Sequence, residues 1–117
     1  MTTTSFNAYH TESDSASALQ YVTSYDQGQG TSYQRLSGTV GNDADHNIAG
    51  ELHLFNPAST TFVKHFIAHT STILHDDAES DFRFAGYFNT TSAINAISFK
   101  FESGNTDAGK IKMWGVK

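Results

Sequence analysis

An all-β domain, an antiparallel β-sandwich, is what the sequence predicts, and three observations predict it. Thr, Ser, Asn and Gly are abundant and Phe and Tyr frequent, while Leu and Glu, the usual helix fillers, are scarce, a mixture that suits strands and turns over helices. Apolar residues recur with period two in short stretches. Turn-forming clusters separate those stretches at regular spacing, and Pro57 is the sole proline.

Taken in order, SFNAYH (5–10) alternates Phe6, Ala8 and His10 with Asn7 and Tyr9, and reads as a strand. TESDSASA is a loop, LQYVTSY (19–25) a short strand, and DQGQG a break. SYQRLSGTV (32–40) sets Tyr33, Arg35 and Ser37 against Gln34, Leu36 and Gly38, a further strand, and GNDADHN is a loop. IAGELHLFNP carries Ile48, Gly50, Leu52 and Leu54 on one face and stops at Pro57, which cannot donate to a ladder. In TTFVKHFIAHTSTIL (60–74), Thr and β-branched residues outweigh the helical alternative. Phe62, Lys64, Phe66 and Ala68 there oppose Val63, His65, Ile67 and His69. HDDAESD is an acidic loop, FRFAGYF a strand and NTTS a turn. INAISFKF and KIKMWGV are two closing strands around the turn ESGNTDAG. Leu52, Leu54, Ile97, Phe99, Ile111 and Met113 are the expected core.

Composition bounds the function. With 117 residues the chain has the size of one domain. There are no cysteines, so neither disulfides nor thiolate chemistry enter. The net charge is −5, and four of the seven basic residues (Lys100, Lys110, Lys112 and Lys117) fall within the last eighteen positions, too sparse a set for a nucleic-acid footprint. No apolar run approaches the length that spans a bilayer, and the first ten residues lack the basic and apolar regions of a secretory signal.

Candidate chemistry is thin. His65 and His69 are four apart. On a strand that places them about 13 Å from each other, too far to share an ion. Asp43, Asp45 and Asn47 have the spacing that opens a calcium loop, but Ile48 and Leu54 stand where that loop needs Gly and Glu. They read as a turn stabilised by Asx side chains. Asp76, Asp77, Glu79 and Asp81 read as a solvated turn, without the facing geometry a glycosidase needs. No catalytic residue, metal ligand or cofactor site is assigned. Exposed aromatics are the candidates for stacking on sugar rings: Tyr21, Tyr25, Tyr33, Phe82 and Tyr87.

The last two thirds of the chain carry a more specific pattern. Phe55-Asn56-Pro57, Gly86, Thr90 to Ile94, Ser103-Gly104-Asn105 and Gly109 to Val116 resemble a family of bacteriophage virion proteins over residues 33–117. The resemblance implies a jelly-roll-like β-sandwich of the kind found in tail fibres, tail-associated proteins and head decorations of aquatic phages, often trimeric. It implies a non-enzymatic structural role in the virion, homo-oligomer contacts, contacts with other virion proteins, and binding of host surface glycans. Similar proteins have further strands ahead of the one matching residues 5–10, so this domain is expected to leave one sheet edge uncovered. Apolar residues on both faces of several strands (Leu54 and Phe55, Phe66 and Ile67, Met113 and Trp114) point the same way. Trp114, His65 and His69 are the expected subunit contacts. A free carbohydrate-binding module is the competing expectation.

Overall fold

A computed structural model describes residues 1–106 and 108–116. Five antiparallel strands form one sheet: β1 (Thr2–Thr11), β2 (Ser17–Tyr21), β3 (Ile48–Leu54), β4 (Lys64–Ile73) and β5 (Ala78–Phe88), in the order β2-β1-β5-β4-β3. The only other regular element among the described residues is one 3₁₀ turn, Thr23–Tyr25. The fold is therefore all-β and antiparallel, as the composition dictates.

Period-two alternation sorts the side chains onto two faces. Across the sheet, Leu52, Ala68, Phe84 and Ser5 lie in register on one face, and the row beside them is Gly50, Thr70, Phe82 and Asn7. This face is covered. Ala68, Phe82 and Phe84 form its buried apolar centre, and Val22, Tyr25, Leu36, Leu52 and Leu74 pack against it. Phe82 stacks between Phe84 (5.8 Å between centroids) and Tyr25 (6.0 Å), distances at which aromatic pairs attract.

The cover is not a second sheet. It comes largely from the irregular segment 22–47, which has no backbone ladder of its own and borrows polar groups from the strands beneath. Ser5 Oγ lies 3.0 Å from the Val22 carbonyl and 2.9 Å from Asp26 Oδ1. Thr3 Oγ1 accepts from the Gln27 amide at 2.9 Å. Thr70 Oγ1 donates to the Leu36 carbonyl, and Ser37 and Thr72 share a hydroxyl contact at 2.8 Å. This is why β1 and β4 bury Thr3, Ser5, Asn7, Thr70 and Thr72 where an all-apolar interior would be expected. Gly50 is required by the close approach of strands: a Cβ there would sit 2.4 Å from the His69 carbonyl oxygen.

Three sequence expectations are corrected. Residues 32–40 form no strand and meet the sheet only through a bridge from Val40 to Leu74. Residues 94–101 and 110–116 form no strand. Ile97, Phe99, Ile111 and Met113 are consequently exposed rather than core. Alternation makes a segment competent to be a strand, but a ladder also needs a neighbouring edge in register, and among the described residues these segments join none beyond that single bridge.

Candidate functional site

The second face of the sheet is bare. Its central row, running from β3 to β2, is Glu51, His69, Arg83, Phe6 and Tyr21, flanked by His53, Ile67, Ala85 and Thr4 on one side. All of these but Tyr21 line a shallow depression of roughly 300 Å³. Phe6, Ile67, Tyr21 and Leu19 leave about half or more of their surface in solvent. One solvated face is ordinary for an antiparallel sheet, but a cluster of large apolar groups on it is not explained by solvation.

Its polar part is a connected network. Asp81 takes both Arg83 Nε and Nη2 at 3.1 Å, and His69 Nε2 lies 2.7 Å from Asp81 Oδ1. The Arg83 hydrogen bonds hold the Asp81 carboxyl below the ordinary carboxylate range; partial burial opposes them, and the charges of His69 and Arg83 assist. Ser71, opposite Asp81, donates to Glu79 at 2.8 Å. Its hydroxyl is thus held by a carboxylate and is not presented to His69 as a nucleophile would be.

The C-terminal segment is the other unusual region. It is fastened where it leaves the sheet. Lys64 is fully buried and donates from Nζ to the Thr90 carbonyl at 3.2 Å and the Ser92 carbonyl at 2.6 Å, and the Ile94 amide donates to the Pro57 carbonyl at 2.8 Å. Further out, Tyr33 meets Ser98 at 2.8 Å, Lys100 lies over the Tyr33 ring at 4.6 Å, and Arg35 pairs with Glu102. Gly104, at φ +75°, turns the segment back in a conformation that favours glycine. Past that turn Ile111, Met113, Trp114 and Val116 are exposed.

The expected contact residues scatter. His65 and His69 share the bare face as expected, His65 beside Tyr87 with ring centroids 5.9 Å apart. Trp114 is 74% exposed on the detached segment. Tyr21 is exposed, with its hydroxyl on Asp26 and in contact with Thr4. Tyr33 is exposed and engaged with the C-terminal segment. Tyr25 is half-buried beneath Arg35, 5.2 Å from its ring. Phe82 is corrected: at 3% exposure it is core, because even-numbered positions of β5 face the cover, and it cannot touch a sugar. Sequence reasoning missed the bare-face cluster of Phe6, His53, Ile67 and Arg83, whose meeting depends on strand order that local alternation does not encode. Comparison with family models, with curated proteins and with solved structures finds no match.

Proposed function

We propose that the chain is a non-enzymatic structural subunit that assembles with copies of itself, as a trimer, in a bacteriophage virion, where its outer loops meet other virion proteins or host surface glycans. The observation that carries assembly is the C-terminal segment: two alternating apolar stretches, 94–101 and 110–116, that join no strand ladder among the described residues and leave Ile97, Phe99, Ile111, Met113 and Trp114 exposed. The occupant of the bare face is this segment from a second copy. Residues 95–117 carry four lysines against Glu102 and Asp107, a net +2, while residues 1–94 carry Arg35, Lys64 and Arg83 against ten carboxylates, a net −7. Glu51, Glu79 and Asp81 sit on the bare face. Opposite charge steers the two together, and burial of Ile111, Met113 or Trp114 against Phe6 and Ile67 supplies the affinity. Such an exchange would complete the two-layered sandwich between subunits. Placement in a virion, and threefold symmetry, rest on the sequence signatures from Phe55 to Val116.

Sedimentation at micromolar concentration tests the reading. The expected species has three times the 12.8 kDa chain mass, and Ile111→Asp with Met113→Asp reduces it to a monomer with an unchanged far-UV spectrum. A wild-type chain that stays a folded monomer overturns assembly. If that monomer is also retained on immobilised polysaccharide, the free sugar-binding module replaces it.

A further inference from the structure

We propose that Asp43, His46 and Asp77 bind one divalent transition-metal ion of the zinc class, joining the covering segment to the β4–β5 turn. One ligand atom from each residue lies within 4.8 Å of the other two. His46 Nε2 is 3.7 Å from Asp43 Oδ2 and 3.6 Å from Asp77 Oδ1. Two other histidine–carboxylate pairs are at hydrogen-bond distance, 2.7 Å for His69 and Asp81 and 2.9 Å for His10 and Asp14, while His53 and Glu51 stand at 3.4 Å. A nitrogen standing back equally from two carboxylates is not paired with either. Its separation is close to the edge of a tetrahedron with ligand bonds of about 2.1 Å, roughly 3.4 Å.

The second observation is the state of the imidazole. The His46 side chain is 9% exposed, and neither ring nitrogen has a hydrogen-bond partner within reach: Nδ1 is buried and unpaired, and the Nε2 contacts are too long. Nε2 is the ring nitrogen that faces the two carboxylates, and with no hydrogen bond of its own it is free to take an ion. The ring packs directly over the Gly41 backbone. Gly41 lies against it so closely that a Cβ there would fall 1.8 Å from Nδ1.

The frame around the three residues is built from two turns clasped by backbone bonds. The His46 amide donates to the Asp43 carbonyl at 3.0 Å, closing one turn, and the Asp77 amide donates to the Leu74 carbonyl at 3.2 Å, closing the other. His75 N to Thr39 O (3.2 Å) and the Val40–Leu74 bridge hold the turns side by side. One imidazole and two carboxylates suit zinc, with a fourth position left to water. Calcium, which takes six to eight oxygens, fits this set poorly. The two carboxylates are exposed and free to close the last distance around an ion.

The experiment uses the full chain stripped with EDTA and titrated with Zn²⁺ by calorimetry, and with Co²⁺ by visible absorption. The expected result is one saturable equivalent, the intense spectrum of tetrahedral Co²⁺, and a thermal midpoint that rises with Zn²⁺, because the ion binds the folded state. Asp43→Asn and Asp77→Asn each weaken binding at least tenfold, and together they abolish the Zn²⁺-dependent rise. Both positions are exposed, and Asn tolerates the φ of 55° at Asp77, so the double variant keeps its fold. A variant with His53, His65 and His69 changed to Asn keeps the site. The proposal is overturned if the wild type takes up no saturable equivalent, if the double Asp variant binds within threefold of wild type, or if only the triple His variant loses binding.

Discussion

Strand β5 and the stretch 96–101 are written in nearly the same pattern, and they end in opposite environments. In β5, Phe82 and Phe84 alternate with Asp81, Arg83 and Ala85, and both rings are 3% exposed. In AISFKF, Ile97, Phe99 and Phe101 alternate with Ser98 and Lys100, and all three are more than 40% exposed. The difference is not local propensity. β5 lies between β1 and β4, with registers of ten residues on each side, so each buried ring is surrounded from two strands and from above. The C-terminal stretch has a tether at Lys64 and a few polar contacts along one flank. Strand-forming sequence becomes a strand where hydrogen-bonding edges meet it, and among the described residues no such edge meets the C-terminal stretch.

The largest expected effect separates the two regions directly. Phe82→Ala should lower unfolding stability by about 3–5 kcal/mol, a large fraction of what a domain of this size possesses. Phe99→Ala in the dissociated monomer should cost under about 1 kcal/mol, as expected for a surface position. Urea melts of both variants, at concentrations below and above assembly, measure this. Equal losses in the monomer would break the comparison. A Phe99→Ala cost that appears only above assembly would sharpen it.

The junction comes next. Lys64→Met removes the ammonium that holds the Thr90 and Ser92 carbonyls while keeping the apolar stem. A hydrogen bond from a charged donor is worth about 1.5–3 kcal/mol, so unfolding stability in urea melts should fall by about 1.5–3 kcal/mol. Limited proteolysis should cut the segment after Thr90 faster than in wild type. Unchanged cleavage would mean the segment is held elsewhere.

The smallest effect belongs to the bare face. Asp81→Asn should cost about 0.2–1 kcal/mol near neutral pH, the range for a partly exposed ion pair. Because the Asp81 pKa is lowered in the folded state, its contribution is fully present above the carboxylate value of the unfolded chain, about 3.9. It is lost as pH falls through the lower folded value. Thermal melts of the two proteins should therefore converge below about pH 4. A gap that persists in acid would assign the effect to something other than the carboxylate charge.

Much of the sheet was legible in the residues themselves. IAGELHL and KHFIAHTSTI alternate so strictly that one register places Leu52 and Phe66 inside and His53 and His65 outside, and a slip of one residue would invert every side chain. The irregular cover was not legible. SYQRLSGTV alternates as a strand should, yet Leu36 and Ser37 are fixed by single hydrogen bonds to Thr70 and Thr72, more than thirty positions along the chain. The candidate ion site had half a signal: the Asp43, Asp45, Asn47 spacing marked a turn, but His46 and Asp77 meet only because the bridge from Val40 to Leu74 lays one turn on another.

The sequence by itself determined the all-β class and, within β1, β3, β4 and β5, which side chains share a face, because those follow from composition and a two-residue period that every short window carries. Tertiary structure alone decided which alternating segments became strands, which face of the sheet was covered, and where Asp77 came to rest. Those outcomes turn on which edges are free and which distant turns touch, and no local pattern of residues records a neighbour that the chain reaches only after folding.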